Sequence, residues 1–210
     1  MSTSKAMRPI VAAVSVAVSL SLTRPIACRA ADDALANACS LTNPAKGVVE
    51  IGGNNKGEAV VSYLKMAGAS AGDPWCAAFA HARYRLALAR LDGEGKKGLA
   101  LPVGFPRSAA VASYKAWAKH TGRWRSVADV RAGKYTPQKG DMVVFDWDNE
   151  PGNDHVGIVL FYADGTISSV EGNTRPSGVS RDSLKGDGVW NRHRTLANLG
   201  TGGGFVVCDF

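Results

Sequence analysis

The stretch "HVGIVLFYADGTISSVEGNT" (residues 155–174) predicts the central hairpin of an antiparallel β-sheet. Both of its halves are rich in β-branched and aromatic residues, and the segment Ala163–Gly165 between them is typical of a tight turn. A three-residue loop over this segment would place Tyr162 opposite Thr166. We therefore predict two long strands whose pairing is fixed by the turn.

This pairing brings polar residues together near the open end of the hairpin. Side chains alternate between the two faces of a strand, so the register predicts that His155, Glu171 and Asn173 share one face. Gly157, opposite Glu171, leaves room on that face. A two-residue loop would instead turn Glu171 and Asn173 to the other face. The predicted grouping therefore depends on the length of the loop.

The rest of the chain divides into a helical half followed by a strand-rich half. Apolar residues recur at helical spacing over 56–69, 74–90 and 106–122, and a short helical turn is expected near residue 127. The strands are expected at 141–147, 155–162, 166–174, 178–184, 188–194 and 204–210. Helices followed by hairpin-linked strands indicate an α+β fold with an antiparallel sheet, and we predict a single domain over residues 31–210.

The first 30 residues have the layout of a secretory signal peptide. Basic residues precede a short apolar run, "PIVAAVSVAVSLSL" (residues 9–22), and small residues follow at a cleavage site near Ala30. The run is short for a membrane span, which needs about 20 apolar residues. A single membrane anchor, or lipidation at Cys28, are the alternatives. We expect an exported protein, periplasmic or secreted, with no membrane span in its mature part.

The net charge of the mature part is small. The whole chain carries +7, but residues 1–30 hold four basic residues and no acidic one, so 21 basic and 18 acidic residues remain and give +3. A charge of this size fits weak attraction to anionic envelope polymers and makes no case for nucleic acid binding. We expect a monomer.

The cysteine count leaves one thiol unpaired. Without Cys28, the mature chain has Cys39, Cys76 and Cys208, and an odd number cannot pair completely within one chain. A disulfide between Cys39 and Cys208 would close a loop of about 170 residues and contribute a few kcal/mol in the chain-entropy model. We predict this disulfide, which leaves Cys76 as the free thiol.

Cys76 lies in the segment "GDPWCAAFAHARYRLALAR" (residues 72–90), where Asp73 and Pro74 predict the start of a helix. The positive end of the helix dipole favours a thiolate, but a cation beside it is also required. His155 is the candidate, because the remaining histidines fall on the wrong helix face, at a helix end or at a solvent-facing strand edge (His81, His120 and His193). The alternative is that Cys76 is simply a small buried apolar residue.

Four segments in this order resemble one known family. "PWCAAFA", "PQKGDMVVF", "NDHVGIV" and "VEGNT" are similar to the CHAP domain, a cysteine- and histidine-dependent amidohydrolase/peptidase related to the NlpC-type cell-wall peptidases. The resemblance implies a papain-like core and peptidoglycan as the substrate. It also implies Cys76 as the nucleophile and His155 as the base, with Glu171 and Asn173 as the polar residues behind it.

The resemblance leaves the bond open, so both an amidase and an endopeptidase are compatible with it. A non-catalytic peptidoglycan-binding module and a thiol acyltransferase on the same core are the alternatives. No cofactor is expected. Trp75 and Trp147 are candidate walls of a substrate groove, although a role in the core is equally open for each.

An acidic loop precedes His155. Some CHAP domains bind calcium, and the loop contains several oxygen donors (Asp146, Asp148, Asn149, Glu150, Asn153 and Asp154). An EF-hand loop starting at Asp146 would need glycine at its sixth position and an acid at its twelfth, where this chain has Pro151 and Gly157. We therefore expect a solvated loop and no metal site, either here or at Cys76 and His155.

Overall fold

The computed structural model describes residue 39 and residues 45–96, 98–148, 150, 152, 154–176 and 187–209. The predicted leader and the strand predicted at 178–184 lie outside these residues. The helices are α1 (Glu58–Met66), α2 (Cys76–Gly93), α3 (Val111–His120) and α4 (Val127–Arg131), with a 3-10 turn at Leu196–Leu199. The strands are β1 (Trp124–Ser126), β2 (Met142–Phe145), β3 (His155–Ala163), β4 (Thr166–Thr174), β5 (Gly188–Thr195) and β6 (Gly204–Val206).

The six strands form one sheet in the order β1-β6-β2-β3-β4-β5, and every pairing is antiparallel. Helix α2 packs against β3 and β4 near the centre of this sheet. The prediction of an α+β fold with a papain-like arrangement, a helix that carries the cysteine packed on an antiparallel sheet, is confirmed.

Alternation along the strands divides the core into two layers. Met142 and Val144 point to the side covered by the long helices, whereas Val143 and Phe145 point to the other side, which α4 and the 3-10 turn cover. All four side chains are fully buried. A sheet covered on both faces is a rigid support for the residues at its strand ends.

The hairpin of β3 and β4 has a shorter loop than predicted, but the pairing near His155 is the predicted one. The loop has two residues, Asp164 and Gly165, both with positive φ (48° and 74°), as in the type I′ turns that favour Asp-Gly. Ala163 therefore pairs with Thr166, one residue away from the expected register. A β-bulge between Val159 and Phe161 then shifts the pairing back by one.

Beyond the bulge the pairing is the predicted one. Ile158 lies opposite Val170 and Val159 opposite Ser169. A β-carbon added at Gly157 would lie only 2.7 Å from Cγ of Glu171, so these two residues meet across the strands. The expected loop length was wrong, but the extra residue in the bulge keeps His155 and Glu171 on one face.

The disulfide predicted between Cys39 and Cys208 is not formed in this structure, where both residues are buried free thiols. Burial raises the pKa of both thiols, that of Cys208 to about 12, so neither favours the thiolate. A negative charge on Cys208 raises the pKa of Cys39, and a negative charge on either thiol raises the pKa of Tyr84, so these three groups lie in one buried cluster.

Among the described residues, no helix combines the length and the apolar character that a membrane crossing requires.

Candidate active site

Cys76 is the first residue of α2 and is 4% exposed. The residue before the helix is Trp75, and no side chain caps the N-terminus. Asp73, predicted to cap the helix, instead accepts a hydrogen bond from the backbone N–H of Ser70 (2.8 Å). Without a capping side chain, the first backbone N–H groups of the helix keep their positive partial charge near the Cys76 sulfur.

His155, the first residue of β3, lies beside Cys76. Its imidazole is hydrogen-bonded to the Cys76 side chain, and its Nε2 atom lies 3.0 Å from Oε2 of Glu171. Burial alone would lower the pKa of His155, but these two hydrogen bonds and the adjacent negative charges raise it to about 9. The imidazole is therefore protonated at neutral pH when it stands between a thiolate and a carboxylate.

Glu171 has no exposed surface, and it is surrounded by donors. Besides His155, the carboxylate accepts hydrogen bonds from Oγ of Ser169 (2.7 Å) and from Nε and Nη2 of Arg194 (2.9 and 2.6 Å). Burial raises the pKa of Glu171, but the hydrogen bonds from Arg194 and His155 and their charges outweigh burial and lower it to about 2. Glu171 is an ionised carboxylate throughout the neutral range.

Arg194 and Ser169 were missed in the sequence. Ser169 lies two residues from Glu171 on the same strand and hence on the same face, so the alternation of β4 could have identified it. Arg194 belongs to β5, where it pairs with Ile167. Residues 175–187 separate β4 from β5 in the sequence, and a connection of that length does not set the register of the two strands.

Aromatic rings cover the exposed side of the imidazole. The Trp147 ring is stacked on His155 with centroids 5.7 Å apart and planes 17° apart, and Trp147 is 49% exposed. The Arg194 guanidinium lies over the rings of Phe145 and Trp147, at 4.7 and 5.3 Å. Trp147 therefore lies at the mouth of the site, where a substrate would contact it.

Trp75 lies in the core and does not line a groove. It is fully buried, packs edge-on against Phe79, and donates its Nε1–H to Glu50 (2.9 Å). Trp75 thus belongs to the core beneath Cys76. A β-carbon at Gly172 would meet Phe79 at 2.6 Å and Trp75 at 2.9 Å, so a glycine is needed for β4 to approach the start of α2.

Asn173 occupies a special backbone position. Its φ of 55° lies in the left-handed region, and it falls where the pairing of β4 with β5 shifts register between Glu171 and Thr174. The described residues offer no hydrogen bond between its carboxamide and His155, whose Nε2 is held by Glu171. In this structure the group that orients the imidazole is Glu171.

The acidic loop brings three carboxylates together. Oxygen atoms of Asp146, Asp148 and Asp154 lie within 4.8 Å of one another. Asp154 accepts hydrogen bonds from the backbone N–H groups of Trp147 and Asp148, and Lys115 lies 3.6 Å from Asp146. These hydrogen bonds and the nearby lysine give the carboxylates partners within the protein and hold the loop that carries Trp147. We therefore do not propose a cation site here.

The comparisons with known proteins identify the family of the chain. The family model described as the CHAP domain matches residues 68–173, half of the chain, and this range includes Cys76, His155, Glu171 and Asn173. No curated protein and no solved structure matches the chain. CHAP domains are generally cysteine- and histidine-dependent amidohydrolases, with a role in peptidoglycan cleavage. The chain belongs to the CHAP-domain family.

Proposed function

We propose that this protein is a cell-wall hydrolase that cleaves an amide bond in the peptide part of peptidoglycan. The observation that carries the proposal is the buried chain of contacts from Cys76 through His155 to Glu171. This arrangement places a thiol beside a protonated imidazole and an ionised carboxylate, which is what thiol-dependent acyl transfer requires.

The proposed reaction has two stages. The Cys76 thiolate attacks the carbonyl carbon of the amide, and His155 gives its proton to the leaving amine as the C–N bond breaks. A thioester remains on Cys76. His155, now neutral, takes a proton from water, the resulting hydroxide attacks the thioester, and the acid product leaves with the thiolate restored. Glu171 stabilises the imidazolium in both stages.

The uncapped start of α2 supports the negative charge that develops on the substrate oxygen. The backbone N–H of Cys76 belongs to the first turn of the helix, and no side chain satisfies that turn. Such N–H groups stabilise an oxyanion without having to reorganise. The predicted leader at residues 1–30 adds the proposal that the protein acts outside the cytoplasm, in the periplasm or as a secreted protein.

Digestion of purified sacculi tests the proposal. The mature protein should release soluble muropeptides, and Cys76→Ala should release none. Cys208→Ala serves as a control, because the Cys208 thiol belongs to the buried cluster with Cys39 and Tyr84 and donates to the carbonyl of Val206. Mass spectrometry of the products identifies the new amine and thus the bond cut. Equal release by wild type and Cys76→Ala would reject the proposal. A product that requires an added amine would identify an acyltransferase instead.

Alkylation gives a second, independent measurement. Iodoacetamide at about pH 6 should modify Cys76 rapidly, since a thiolate paired with an imidazolium reacts at a pH where an ordinary thiol, with pKa of about 8.5, barely does. His155→Ala should abolish this reactivity. A Cys76 that stays unmodified in the wild type would indicate a binding module without turnover.

A further inference from the structure

An open groove begins two residues before Cys76. Its volume is about 470 Å³, and its walls are formed by residues 67–69 after α1, by Asp73 and Pro74, and by residues 107–110 before α3. Sites for small ligands typically occupy about 300–1,000 Å³. The groove thus has the capacity to hold one residue of a bound peptide.

The groove lies on the helical side of the active site. Tyr114 lies close enough to Cys76 that a negative charge on the Cys76 sulfur raises the pKa of Tyr114. The Tyr114 hydroxyl donates to the carbonyl of Ser108 in the groove wall (2.8 Å). None of the wall segments belongs to the sheet, which carries His155. The start of α2 therefore borders both the sheet, which carries the histidine, and this groove.

One wall of the groove carries a fixed positive charge. The Arg107 guanidinium donates from Nε to the carbonyl of Met66 (3.0 Å) and from Nη2 to that of Lys65 (3.3 Å), at the end of α1. It lies against Gly68, where an added β-carbon would be 3.5 Å from Nε. Because a guanidinium has five N–H donors, these two bonds hold the group in place and leave donors for a carboxylate.

A negative charge lies in another part of the same groove. One oxygen of Asp73 accepts the backbone N–H of Ser70, which fixes the carboxylate in position (2.8 Å). The remaining lining consists of small residues, chiefly alanine. A groove with one held cation, one held anion and short side chains between them is complementary to a compact zwitterion.

We infer that this groove binds a zwitterionic residue of the peptidoglycan stem peptide, with its carboxylate on Arg107 and its ammonium group on Asp73. The inference rests on the proposed function and adds the chemical class of the residue that the enzyme selects beside the scissile bond. A diamino diacid in a stem peptide has this chemistry at its side-chain end. Neighbouring residues that lack either charge bind less tightly.

Three synthetic stem peptides test the inference. They are identical except at the side-chain end of a diamino diacid, which is left free, converted to the carboxamide, or N-acetylated. Wild type should cleave the free peptide with a kcat/KM about 10- to 100-fold above that of each blocked peptide, mainly through KM, which is the range for one or two charge-assisted hydrogen bonds. Arg107→Gln should remove the preference over the carboxamide, and Asp73→Asn the preference over the acetylated peptide.

The ratio between two peptides separates recognition from folding. Arg107 also holds the end of α1, and a loss of folded protein in Arg107→Gln would lower cleavage of all three peptides equally. Arg107→Lys keeps the charge and should retain part of the preference. Arg131→Gln changes an exposed arginine of α4 and should behave as wild type. An unchanged acid-to-amide ratio in Arg107→Gln overturns the inference.

Binding distinguishes this failure from failure of the proposed function. Calorimetric titration of the three peptides into Cys76→Ala, with and without Arg107→Gln, measures recognition without turnover. If wild type cleaves no peptide and no sacculi, the proposed function is rejected, while weaker binding of the free peptide to the Arg107→Gln form would still support the groove. If the Arg107→Gln change leaves that affinity unaltered, the groove does not bind the zwitterion.

Discussion

Replacing Arg194 by methionine removes the strongest contact of the buried carboxylate. Arg194 donates two hydrogen bonds to Glu171, at 2.9 and 2.6 Å, and methionine keeps much of its apolar length without the charge. With Arg194, a thiolate, an imidazolium, a carboxylate and a guanidinium sum to zero charge. Without it, the buried site carries a net charge of −1 whenever Cys76 is ionised.

The size of the effect follows from the pKa of Glu171. It lies at about 2 instead of 4.5, and at about 1.36 kcal/mol per unit this difference corresponds to roughly 3 kcal/mol in favour of the ionised carboxylate. An arginine in contact with a carboxyl group typically lowers the pKa of that group by about 1–3. We therefore expect Arg194→Met to raise the pKa of Glu171 by about 1–3 units, since burial then acts with less opposition.

The sign of the stability change is set by this depressed pKa. In the wild type, the contribution of Glu171 is complete above pH 4.5 and is lost as the pH falls towards 2. Urea unfolding between pH 3 and 6 should show a steeper loss of the free energy of unfolding in the wild type than in Arg194→Met. The acidic limb of kcat/KM should also move upwards in the variant, so that activity falls more at pH 5 than at pH 8.

Two further variants complete this experiment. Arg194→Lys keeps a positive charge without the paired hydrogen bonds and should give an intermediate profile. Arg131→Met removes an exposed arginine and should leave both profiles unchanged. A folded Arg194→Met protein with the acidic limb and the unfolding slope of the wild type would refute the reasoning that Arg194 keeps Glu171 ionised.

Three other predictions concern the site and its support. Because the pKa of His155 is raised to about 9, kcat/KM measured against pH should stay high through neutrality and fall above about pH 9 as the imidazolium loses its proton; a fall centred near 6.5 would contradict the ion pair. Gly157→Ala should lower the free energy of unfolding by about 1–3 kcal/mol and reduce activity, since the new methyl group would lie 2.7 Å from Glu171, whereas Gly93→Ala, with no atom within 4 Å, should do neither. Ser126→Ala removes the hydroxyl that accepts the backbone N–H of Asp129 in the capping box of α4 and should cost about 1 kcal/mol in urea unfolding. Sacculus digestion should be unchanged, because none of the hydrogen bonds of His155 and Glu171 described above comes from α4. A large loss of activity would show that α4 positions the site through the core layer that it shares with Phe145.

The sequence predicted the elements well where the signal was local. The helix that begins at Cys76 and the strands of the hairpin follow from apolar periodicity, turn residues and β-propensity, all of which act over a few residues. The N-terminus of this helix lies two residues later than predicted. Asp73 and Pro74 form the usual starting signal, but the chain makes a further turn at Asp73, and the helix begins at Cys76.

The parts of the site that the sequence did not reveal depend on distant pairing. Arg194 reaches Glu171 through the register of β5, which no short turn fixes. The burial of Trp75 depends on the close approach of β4 at Gly172, a contact between residues nearly a hundred positions apart. Local patterns give the type of each element, whereas the partners of a buried charge are set by which elements meet.

The bulge in β3 makes the length of a remote turn a matter of catalytic importance. The turn at Asp164 lies nine positions from His155, about 30 Å along an extended strand. If β3 kept Leu160 but lost the bulge, the two-residue turn would pair Gly157 with Gly172 and rotate Glu171 away from the imidazole, whereas deleting Leu160 would leave a regular strand with Gly157 still opposite Glu171. Descendants of this sequence should therefore tolerate the loss of one residue at the bulge, whereas a regular β3 of unchanged length would require a three-residue turn.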